Sequence, residues 1–253
     1  MIRTQFDINS NDNSLFVTSQ CNNRCLMCSQ PPLKKDDIEL CFQQNLNIIA
    51  SAPKELTEIG ITGGEPTLLG DRLLQLITVV KEKLPNVQTI HILSNGRSFK
   101  DKGFVQELKA IGEDLLLLGV PLHSDYEHDH DYIAQAKDSY NQTMKGLYHL
   151  AEYNINIELR IVINKVNYER LYPLSKFIYK NLPFVKYTSF MGMEDTGYAV
   201  KNRSIVWIDP QQYIYSLEEA VLNLATWAID VAIFNLPLCC IPESLYEFTH
   251  KSI

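Results

Sequence analysis

Residues 15–28 read Leu-Phe-Val-Thr-Ser-Gln-Cys-Asn-Asn-Arg-Cys-Leu-Met-Cys, an apolar strand-like start followed by three cysteines on one short loop. Cys21, Cys25 and Cys28 have the spacing C-x3-C-x2-C, with no fourth ligand close by. A structural zinc site takes four protein ligands, and an ordinary cubane cluster takes four cysteines. Three thiolates leave one iron of a [4Fe–4S] cluster open for a small molecule to chelate. A zinc knuckle with a distant fourth ligand is the alternative.

A glycine motif follows one βα unit later. Gly63-Gly64-Glu65-Pro66 comes after an apolar stretch and before a run with helical spacing, so we expect it at a strand-to-helix turn. Glycine lets the backbone approach a ligand closely, and carbonyl and carboxylate oxygens accept hydrogen bonds from an ammonium group. A lone Gly-Gly is also typical of an ordinary turn, but the two motifs in this order favour one shared cofactor site.

The two motifs together resemble those of the radical S-adenosylmethionine (SAM) enzymes. The resemblance implies that the three cysteines hold a [4Fe–4S] cluster and that SAM chelates the open iron through its amino and carboxylate groups. It implies that residues 63–66 lie against the methionine moiety. One electron from the reduced cluster would then cleave SAM to methionine and a 5′-deoxyadenosyl radical, which abstracts hydrogen from a substrate carbon.

Composition and charge limit the class of protein. The 253 residues, 45% of them hydrophobic and 21% charged, suit one large soluble domain. The net charge of −7 disfavours a nucleic-acid partner. Residues 1–13 lack a secretory signal, and polar residues interrupt the apolar stretch 225–240, so no membrane partner is expected. Six cysteines without a signal sequence indicate a reducing compartment, so we expect a cytoplasmic protein.

Strand-like runs alternate with helical periodicity along the chain. The predicted strands are residues 14–19, 58–62, 89–94, 115–122, 156–164 and 185–191, and the predicted helices are 38–51, 72–83, 104–111, 138–153 and 168–181. Apolar runs without polar alternation are typical of parallel strands covered on both faces. The sequence therefore predicts an α/β fold, a partial (β/α)6 TIM-type barrel as in the radical SAM enzymes. Both motifs then lie at carboxyl ends of strands, where barrel proteins place their chemistry.

We predict one core barrel over residues 1–205, with a polar lead-in at 1–13, and a short C-terminal helical extension over 206–253. Asp209-Pro210 is a good helix start, and the helix is expected to continue to about residue 227. The extension carries Cys239-Cys240 but no later cysteine group, which predicts a truncated auxiliary region. Adjacent cysteines cannot easily bind one metal together, so buried free thiols are favoured over an auxiliary cluster ligand.

Polar residues at the later strand ends are further candidates for the SAM site. Ser94 and Asn95 close the third strand, where a tight turn using Asn95-Gly96 is the alternative. Ser124 or Asp125 follows the fourth strand and is a candidate for the SAM ribose or methionine. Arg160 lies in an otherwise apolar strand, so its charge needs a partner, either the SAM carboxylate or a carboxylate on the helix side.

The end of the sixth strand completes the candidates. Residues 191–199 resemble the Met-Glu-x-x-Gly-x-Ala segment that packs beside the adenine in this family, which makes Met191 and Gly192 candidate SAM contacts. The His- and Asp-rich run 123–131 is expected to form a solvated rim loop rather than a metal site. His91 and His149 lie within apolar patterns and are expected to be core or surface residues, and Cys41 is expected in the core.

Residues 15–32, 133–137, 177–185 and 207–210 resemble the His-Xaa-Ser system maturases of the HxsC type. That resemblance implies a ribosomally made precursor peptide with His-Xaa-Ser repeats, a companion radical SAM maturase and an electron donor of the flavodoxin or ferredoxin type. Members of that family extend past a pair like Ser252-Ile253, so a truncated member is expected.

Three other functions stay open. The chain could be a non-catalytic partner that binds the precursor peptide and supports a second maturase, or a radical SAM enzyme acting on a small molecule. An electron-transfer or zinc-binding protein is the third alternative, and metal analysis separates it from the others.

Overall fold

A parallel sheet organises the molecule. The computed structural model describes residues 6–10 and 12–250, and within these residues seven strands form one sheet whose order in space follows the chain. The strands are β1 (Ser14–Phe16), β2 (Glu58–Thr62), β3 (Thr89–Leu93), β4 (Leu116–Pro121), β5 (Asn156–Val162), β6 (Tyr187–Met191) and β7 (Asp230–Phe234).

Helices connect successive strands and cover the outer face of the sheet. They are α1 (Ile38–Ser51), α2 (Asp71–Lys83), α3 (Lys102–Gly112), α4 (Glu127–Ala134), α5 (Ser139–Glu152), α6 (Leu171–Asn181), α7 (Tyr198–Lys201), α8 (Arg203–Val206) and α9 (Pro210–Thr226). Short 3-10 turns lie at Pro66–Leu69, Arg97–Lys100, Glu113–Leu115, Tyr168–Arg170, Leu238–Cys240 and Glu243–Phe248.

Alternate residues of each strand point to opposite faces. Ile59 and Ile61 of β2, with Ile90 and Ile92 of β3, are fully buried in the main apolar core. The residues between them face the barrel interior and are partly exposed, as at His91. Successive side chains of a strand point to opposite faces of the sheet. When the apolar side chains face the helices, the side chains between them face the barrel interior.

The predicted barrel is confirmed, with every predicted strand and helix found within a few residues of its expected ends. The sheet does not close within the described residues, as in a partial barrel. The C-terminal segment contains the predicted helix α9 and also β7, which pairs in parallel with β6 and was not predicted. A five-residue apolar strand cannot be told from a buried helical segment by periodicity alone.

The prediction of a solvated rim loop over residues 123–131 was wrong in part, since only residues 126–128 are exposed. Helix α4 begins at Glu127, and both His123 and His130 are buried. Histidine and aspartate are poor helix formers, so tertiary contacts rather than propensity stabilise this short helix. Its last turn buries Ile133 and Ala134.

Some expectations concern the chain termini. The predicted lead-in falls partly, and Ser252-Ile253 wholly, outside the described residues. None of the helices in the described ranges is long and apolar enough to cross a membrane.

Candidate functional site

The cysteine loop follows β1 and is fixed first by the turn after β2. The backbone N–H of Gly64 donates to the carbonyl of Thr18, and that of Glu65 donates to the carbonyl of Gln20, both at 2.7 Å. A Cβ atom on Gly64 would overlap the Gln20 carbonyl oxygen. Gly64 therefore lets the turn after β2 pack directly against Gln20, the residue before Cys21.

Helix α4 holds the opposite side of the loop. The N–H groups of Arg24 and Leu26 donate to the carbonyls of Ala134 and Ile133, at 3.0 and 2.9 Å. Those carbonyls belong to the last turn of the helix, where backbone acceptors lack partners within the helix. A small apolar cluster accompanies the bonds and contains Leu26, Met27, Ile133, Ala199 and Val206.

The segment after β6 holds the third side. Tyr198 donates its N–H to the carbonyl of Cys28 at 2.8 Å, and the Asn202 side chain donates to the carbonyl of Leu26 at 2.8 Å. Gly197 has a positive φ of 57°, and a Cβ there would overlap the Cys28 carbonyl. The Gly-x-Ala pattern predicted beside an adenine thus packs against the cysteine loop.

The three thiols lie in a setting that disfavours their ionised forms. Burial raises the pKa of Cys21 to about 11 and that of Cys25 to about 12, and it also raises the pKa of Cys28. Negative charge on each of the other two cysteines adds to the rise at Cys25. A bound cation removes this penalty, because metals bind the thiolate.

The described part of the chain contains no group of three or more His, Cys, Asp or Glu side chains placed to hold a single metal ion. In a cubane each thiolate binds a different iron, so this observation concerns mononuclear sites. The donor set fits the cluster in its chemistry, because soft thiolates are the ligands of iron–sulfur clusters.

Glu65 is fully buried, and its carboxylate is already occupied. Oε1 accepts from the N–H and hydroxyl of Thr67 and from the Ser94 hydroxyl, and Oε2 accepts from the N–H of Asn95, at 2.7 to 3.0 Å. The carboxylate therefore ties the turn after β2 to the end of β3. Pro66 begins the following 3-10 turn, and Gly63 passes close to the Thr18 carbonyl.

The turn after β3 reaches the cysteine loop. The Asn95 amide nitrogen lies 2.5 Å from Asn22 Oδ1 and 3.9 Å from Cys21 Sγ. Arg97 donates from Nη1 to the Asn22 carbonyl and to Asn23 Oδ1, each at 2.7 Å. These contacts place both predicted residues of this turn, Ser94 through Glu65 and Asn95 directly, in the shell around the cysteines.

The residues after β4 have separate roles. Ser124 is fully buried, and its hydroxyl accepts from the N–H of Tyr126 at 3.1 Å. Asp125 forms a bidentate pair with Arg170, with both N–O distances at 2.7 Å. Asp125 is therefore engaged by a helix-side cation, while Ser124 remains the better placed of the two candidates for a ligand contact.

His123 contacts the cysteine loop, and the sequence did not single it out as a site residue. Its Nε2 lies 4.0 Å from Cys25 Sγ, and its backbone N–H donates to Nδ1 of His130 at 3.2 Å. Burial and the neighbouring His130 hold the pKa of His123 well below the usual range, and burial lowers that of His130 to about 4. A signal existed in the chain, since His123 lies two residues after the end of the buried strand β4.

The Arg160 side chain faces the barrel interior and forms an ion pair there. Its guanidinium lies 3.2 Å from both carboxylate oxygens of Glu158, two residues earlier on the same strand. His91 Nε2 lies 2.8 Å from the same carboxylate, and the Ser189 hydroxyl donates to it. Burial raises the pKa of Glu158, but the contacts with His91, Arg160 and Ser189 outweigh it and leave that pKa lowered.

Met191 and Gly192 lie at the end of β6. The Met191 sulfur accepts from Arg160 at 3.3 Å, so it belongs to the interior network. Gly192 donates its N–H to the Phe234 carbonyl at 2.9 Å, and a Cβ there would overlap the Asn235 carbonyl. Gly192 therefore permits the close approach of the chain after β7.

The remaining cysteines lie apart from the loop. Cys41 is buried in α1, as predicted, whereas the expectation of buried thiols at Cys239-Cys240 was wrong. Cys239 is exposed, Cys240 is half-buried, and their sulfurs are 4.0 Å apart. The 3-10 turn that carries them follows β7 at the surface.

A sequence model of the Radical SAM superfamily matches residues 15–178. The GTP 3′,8-cyclase of Campylobacter jejuni subsp. doylei is 28% identical over 201 residues, which are 76% of this chain and 59% of the cyclase. The sporulation killing factor maturation protein SkfB of Bacillus subtilis is 25% identical over 155 residues, 61% of this chain and 36% of SkfB. The matched part of the chain thus spans 59% of the length of the cyclase and 36% of that of SkfB.

Solved structures with the same fold include two proteins with bound S-adenosylmethionine. AnSMEcpe with bound AdoMet and Kp18Cys peptide aligns with a TM-score of 0.66 and 16% identity, over 86% of this chain and 63% of that protein. SuiB of Streptococcus suis, bound to S-adenosylmethionine, aligns with a TM-score of 0.63 and 16% identity, over 88% and 50%. At this identity the likeness concerns the fold.

Proposed function

The chain belongs to the radical SAM superfamily, and we propose that it cleaves SAM reductively and modifies a ribosomally made precursor peptide. The family uses a [4Fe–4S] cluster and SAM, which together supply a 5′-deoxyadenosyl radical when bound. The observation that carries the proposal is the convergence of three elements on the cysteine loop: the turn after β2, helix α4 and the segment after β6.

The chain's own residues bind and orient in this scheme. Cys21, Cys25 and Cys28 hold the cluster, and the backbone around Gly63 and Gly64 fixes their loop. The Glu65 carboxylate is saturated by its neighbours, so we propose a positioning role for it rather than direct contact with an ammonium group. Hydrogen bonds of this kind orient groups in the second layer of a metal site.

Polar groups around the cysteine loop are the proposed contacts of SAM. We propose that the backbone carbonyls of the Gly-Gly turn and the side chains of Asn95 and Ser124 contact the cofactor. Ser94 donates its hydroxyl proton to Glu65, so it can only accept from the cofactor. Met191 and Gly192 are proposed to lie beside the adenine. Arg160 is proposed as the partner of a carboxylate, since its guanidinium retains donors beyond those given to Glu158.

A peptide substrate is supported by relatives and neighbours that act on or bind peptides, SkfB and anSMEcpe among them. Within this class we propose the His-Xaa-Ser precursor, handled with a companion maturase and an electron donor of the flavodoxin or ferredoxin type. We further propose residues 1–205 as the catalytic core and residues 206–253 as an extension.

The cyclase relative makes a nucleotide the second candidate substrate. A cavity of about 300 Å³ lies between the first strands and the segment before β1. Its lining includes the carboxylates Asp12, Glu55 and Glu58 and the single arginine Arg160 among the described residues. These carboxylates lie at the amino ends of β1 and β2, opposite the cysteine loop, so the charge of this cavity does not decide between a nucleotide and a peptide at the candidate site.

The test uses anaerobically reconstituted protein. We expect iron and sulfide near one cubane per chain, 5′-deoxyadenosine after addition of SAM and a reductant, and a mass change in a His-Xaa-Ser peptide. Cys25→Ala is expected to abolish the cluster, whereas the matched variant Cys41→Ala, in the core of α1, should keep it.

Other outcomes identify the competing functions. Zinc without iron in cleanly purified protein would contradict the proposal and indicate a zinc-binding protein. A cluster and SAM binding without 5′-deoxyadenosine would indicate a non-catalytic partner. Turnover with GTP but not with the peptide would assign the chain to nucleotide chemistry.

A further inference from the structure

His123 contacts a proposed cluster ligand and is otherwise unexplained. Its side chain is 3% exposed, and Nε2 lies 4.0 Å from Cys25 Sγ. Nδ1 is buried and has no hydrogen-bond partner among the residues that the structure describes. Most buried polar side-chain atoms have a partner, so an orphaned nitrogen here needs an explanation.

Buried side chains fix the backbone of His123 on both sides. Its N–H donates to Nδ1 of His130 at 3.2 Å, and its carbonyl accepts from the Asn167 side chain at 2.9 Å. His130 and Asn167 are 2% and 1% exposed. With the backbone held in this way, the imidazole is kept against Cys25.

The contact determines which ring nitrogen carries the proton. A neutral imidazole has one N–H donor and one bare acceptor nitrogen. A Cys25 thiolate is an acceptor, so Nε2 must be the donor and Nδ1 the bare nitrogen. An unpaired acceptor is tolerated more often in proteins than an unpaired N–H. The tautomer with its proton on Nε2 donates to Cys25 and leaves Nδ1 without a partner, and an unpaired acceptor costs less free energy than an unpaired N–H donor.

We propose that His123 is a positioning residue that donates a hydrogen bond from Nε2 to the Cys25 thiolate and raises the reduction potential of the cluster. The proposal rests on the proposed function, because it requires a cluster on the three cysteines. One electron from an external low-potential protein donor takes a [4Fe–4S] cluster from its 2+ to its 1+ state. That electron adds negative charge to the sulfurs, so an N–H donor stabilises the reduced state more than the oxidised one.

The experiment measures the midpoint potential of the reconstituted protein by a reductive titration followed by electron paramagnetic resonance. His123→Phe removes the donor and keeps a flat ring, so its midpoint should be more negative than that of the wild type. His123→Gln keeps an N–H donor, and its midpoint should return toward the wild-type value. His149→Phe is the control, since Nδ1 of His149 lies 2.9 Å from the Phe99 carbonyl rather than near a cysteine.

The outcomes separate this inference from the proposed function. A His123→Phe protein with a full cluster and the wild-type midpoint overturns the role of His123 alone. A wild-type protein that takes up no iron overturns the cluster assignment itself. If His123→Phe fails to fold, hyperfine spectra of the reduced wild type with ¹⁵N-labelled histidine decide: a coupled histidine nitrogen is expected, and its absence contradicts the proposal.

Discussion

At the residue scale, the buried carboxylate of Glu65 fixes the turns after β2 and β3 relative to each other. It accepts from Thr67, Ser94 and Asn95 and thereby joins two strand ends that flank the cysteine loop. Its negative charge lies among donors only, so it is stabilised without an ion pair. A substitution that introduces a side-chain N–H group at this position would point one hydrogen-bond donor at another and leave both without an acceptor.

Glu65→Gln is expected to destabilise the protein by about 1–3 kcal/mol, the usual cost of a buried polar group that loses its partner. Urea unfolding of the cluster-free protein measures this change, and equilibrium dialysis measures the accompanying loss of SAM affinity. The control is Glu107→Gln on the exposed face of α3. A Glu65→Gln protein as stable as the control would contradict the role given to the carboxylate.

The raised thiol pKa values predict slow alkylation of the cluster-free protein. At neutral pH the thiolate fraction of Cys21, with a pKa near 11 instead of 9, is about 100-fold below that of an ordinary cysteine. Because the folded pKa is raised, the thiol form stabilises the fold at low pH, and this contribution is lost as the pH rises toward 11. Mass spectrometry after iodoacetamide treatment should find exposed Cys239 modified before Cys21 and Cys25.

The pH dependence of the same reaction supplies a check. The alkylation rate of Cys21 should keep rising tenfold per pH unit beyond pH 9, whereas in urea it should level off near that pH. Levelling near pH 9 in the folded protein would show that burial does not perturb this thiol.

The cysteines and the Gly-Gly-Glu-Pro motif were predictable from the sequence, because their spacing alone limits the chemistry. The partners of Glu65 and Arg160 were not. The sequence predicts Glu65 toward SAM and leaves Arg160 between the SAM carboxylate and a carboxylate on the helix side. The structure shows Glu65 bound to Thr67, Ser94 and Asn95. It shows Arg160 bound to Glu158 on its own strand. Glu158 lies two residues before Arg160 on the same strand, whereas Ser94 and Asn95 come near Glu65 only because the fold brings the turns after β2 and β3 together.

At the scale of elements, the cysteine loop has little regular structure of its own and depends on its neighbours. It lies between the turn after β2, the end of α4 and the start of α7, and each provides backbone hydrogen bonds to it. A change in any of these elements is therefore transmitted to the cysteines.

Gly64→Ala is expected to displace the loop, since its Cβ would overlap the Gln20 carbonyl directly before Cys21. We expect the variant to lose most of its iron after reconstitution and to be destabilised by about 1–3 kcal/mol, as overpacked sites are. Iron analysis and urea unfolding measure the two effects. Gly103→Ala, whose Cβ would meet only Asp101 Oδ1 at 3.3 Å, is the matched variant and should retain its iron.

The long helices and strands were predictable because each carries a clear apolar period. Helix α1 begins and ends as predicted, and so does β2. Helix α4 and strand β7 were not predictable, since the first has eight residues, four of them His or Asp, and the second has five residues, four of them apolar. Both are stabilised by contacts with distant segments, Leu26 for α4 and β6 for β7.

At the scale of the whole molecule, the extension beyond residue 205 is part of the packed structure. Helix α9 packs on α6 and buries Leu217, Val221 and Leu224, while β7 covers the edge of β6. Burying each such side chain contributes roughly 1.5–3 kcal/mol. The sum approaches the 5–15 kcal/mol or so by which a whole domain is stable.

A chain that ends at Val206 is therefore expected to lose cooperative unfolding, as measured by near-ultraviolet circular dichroism in urea. A finer test keeps the full length: Leu217→Ala should cost about 2–5 kcal/mol, as buried leucines do, and Leu222→Ala, at 41% exposure, should cost far less. A truncated protein that unfolds cooperatively near full stability would show that residues 1–205 form an independent core.

The order of the strands has a consequence for how the protein folds during its synthesis. Each strand pairs with the one synthesised just before it, and no pairing between β1 and β7 is present in the described ranges. A growing chain leaves the ribosome from its N-terminus, and domains fold in that direction as they emerge. The nascent sheet can therefore grow one strand at a time, and the cysteine loop gains its last backbone contacts only after the segment that follows β6 has been synthesised.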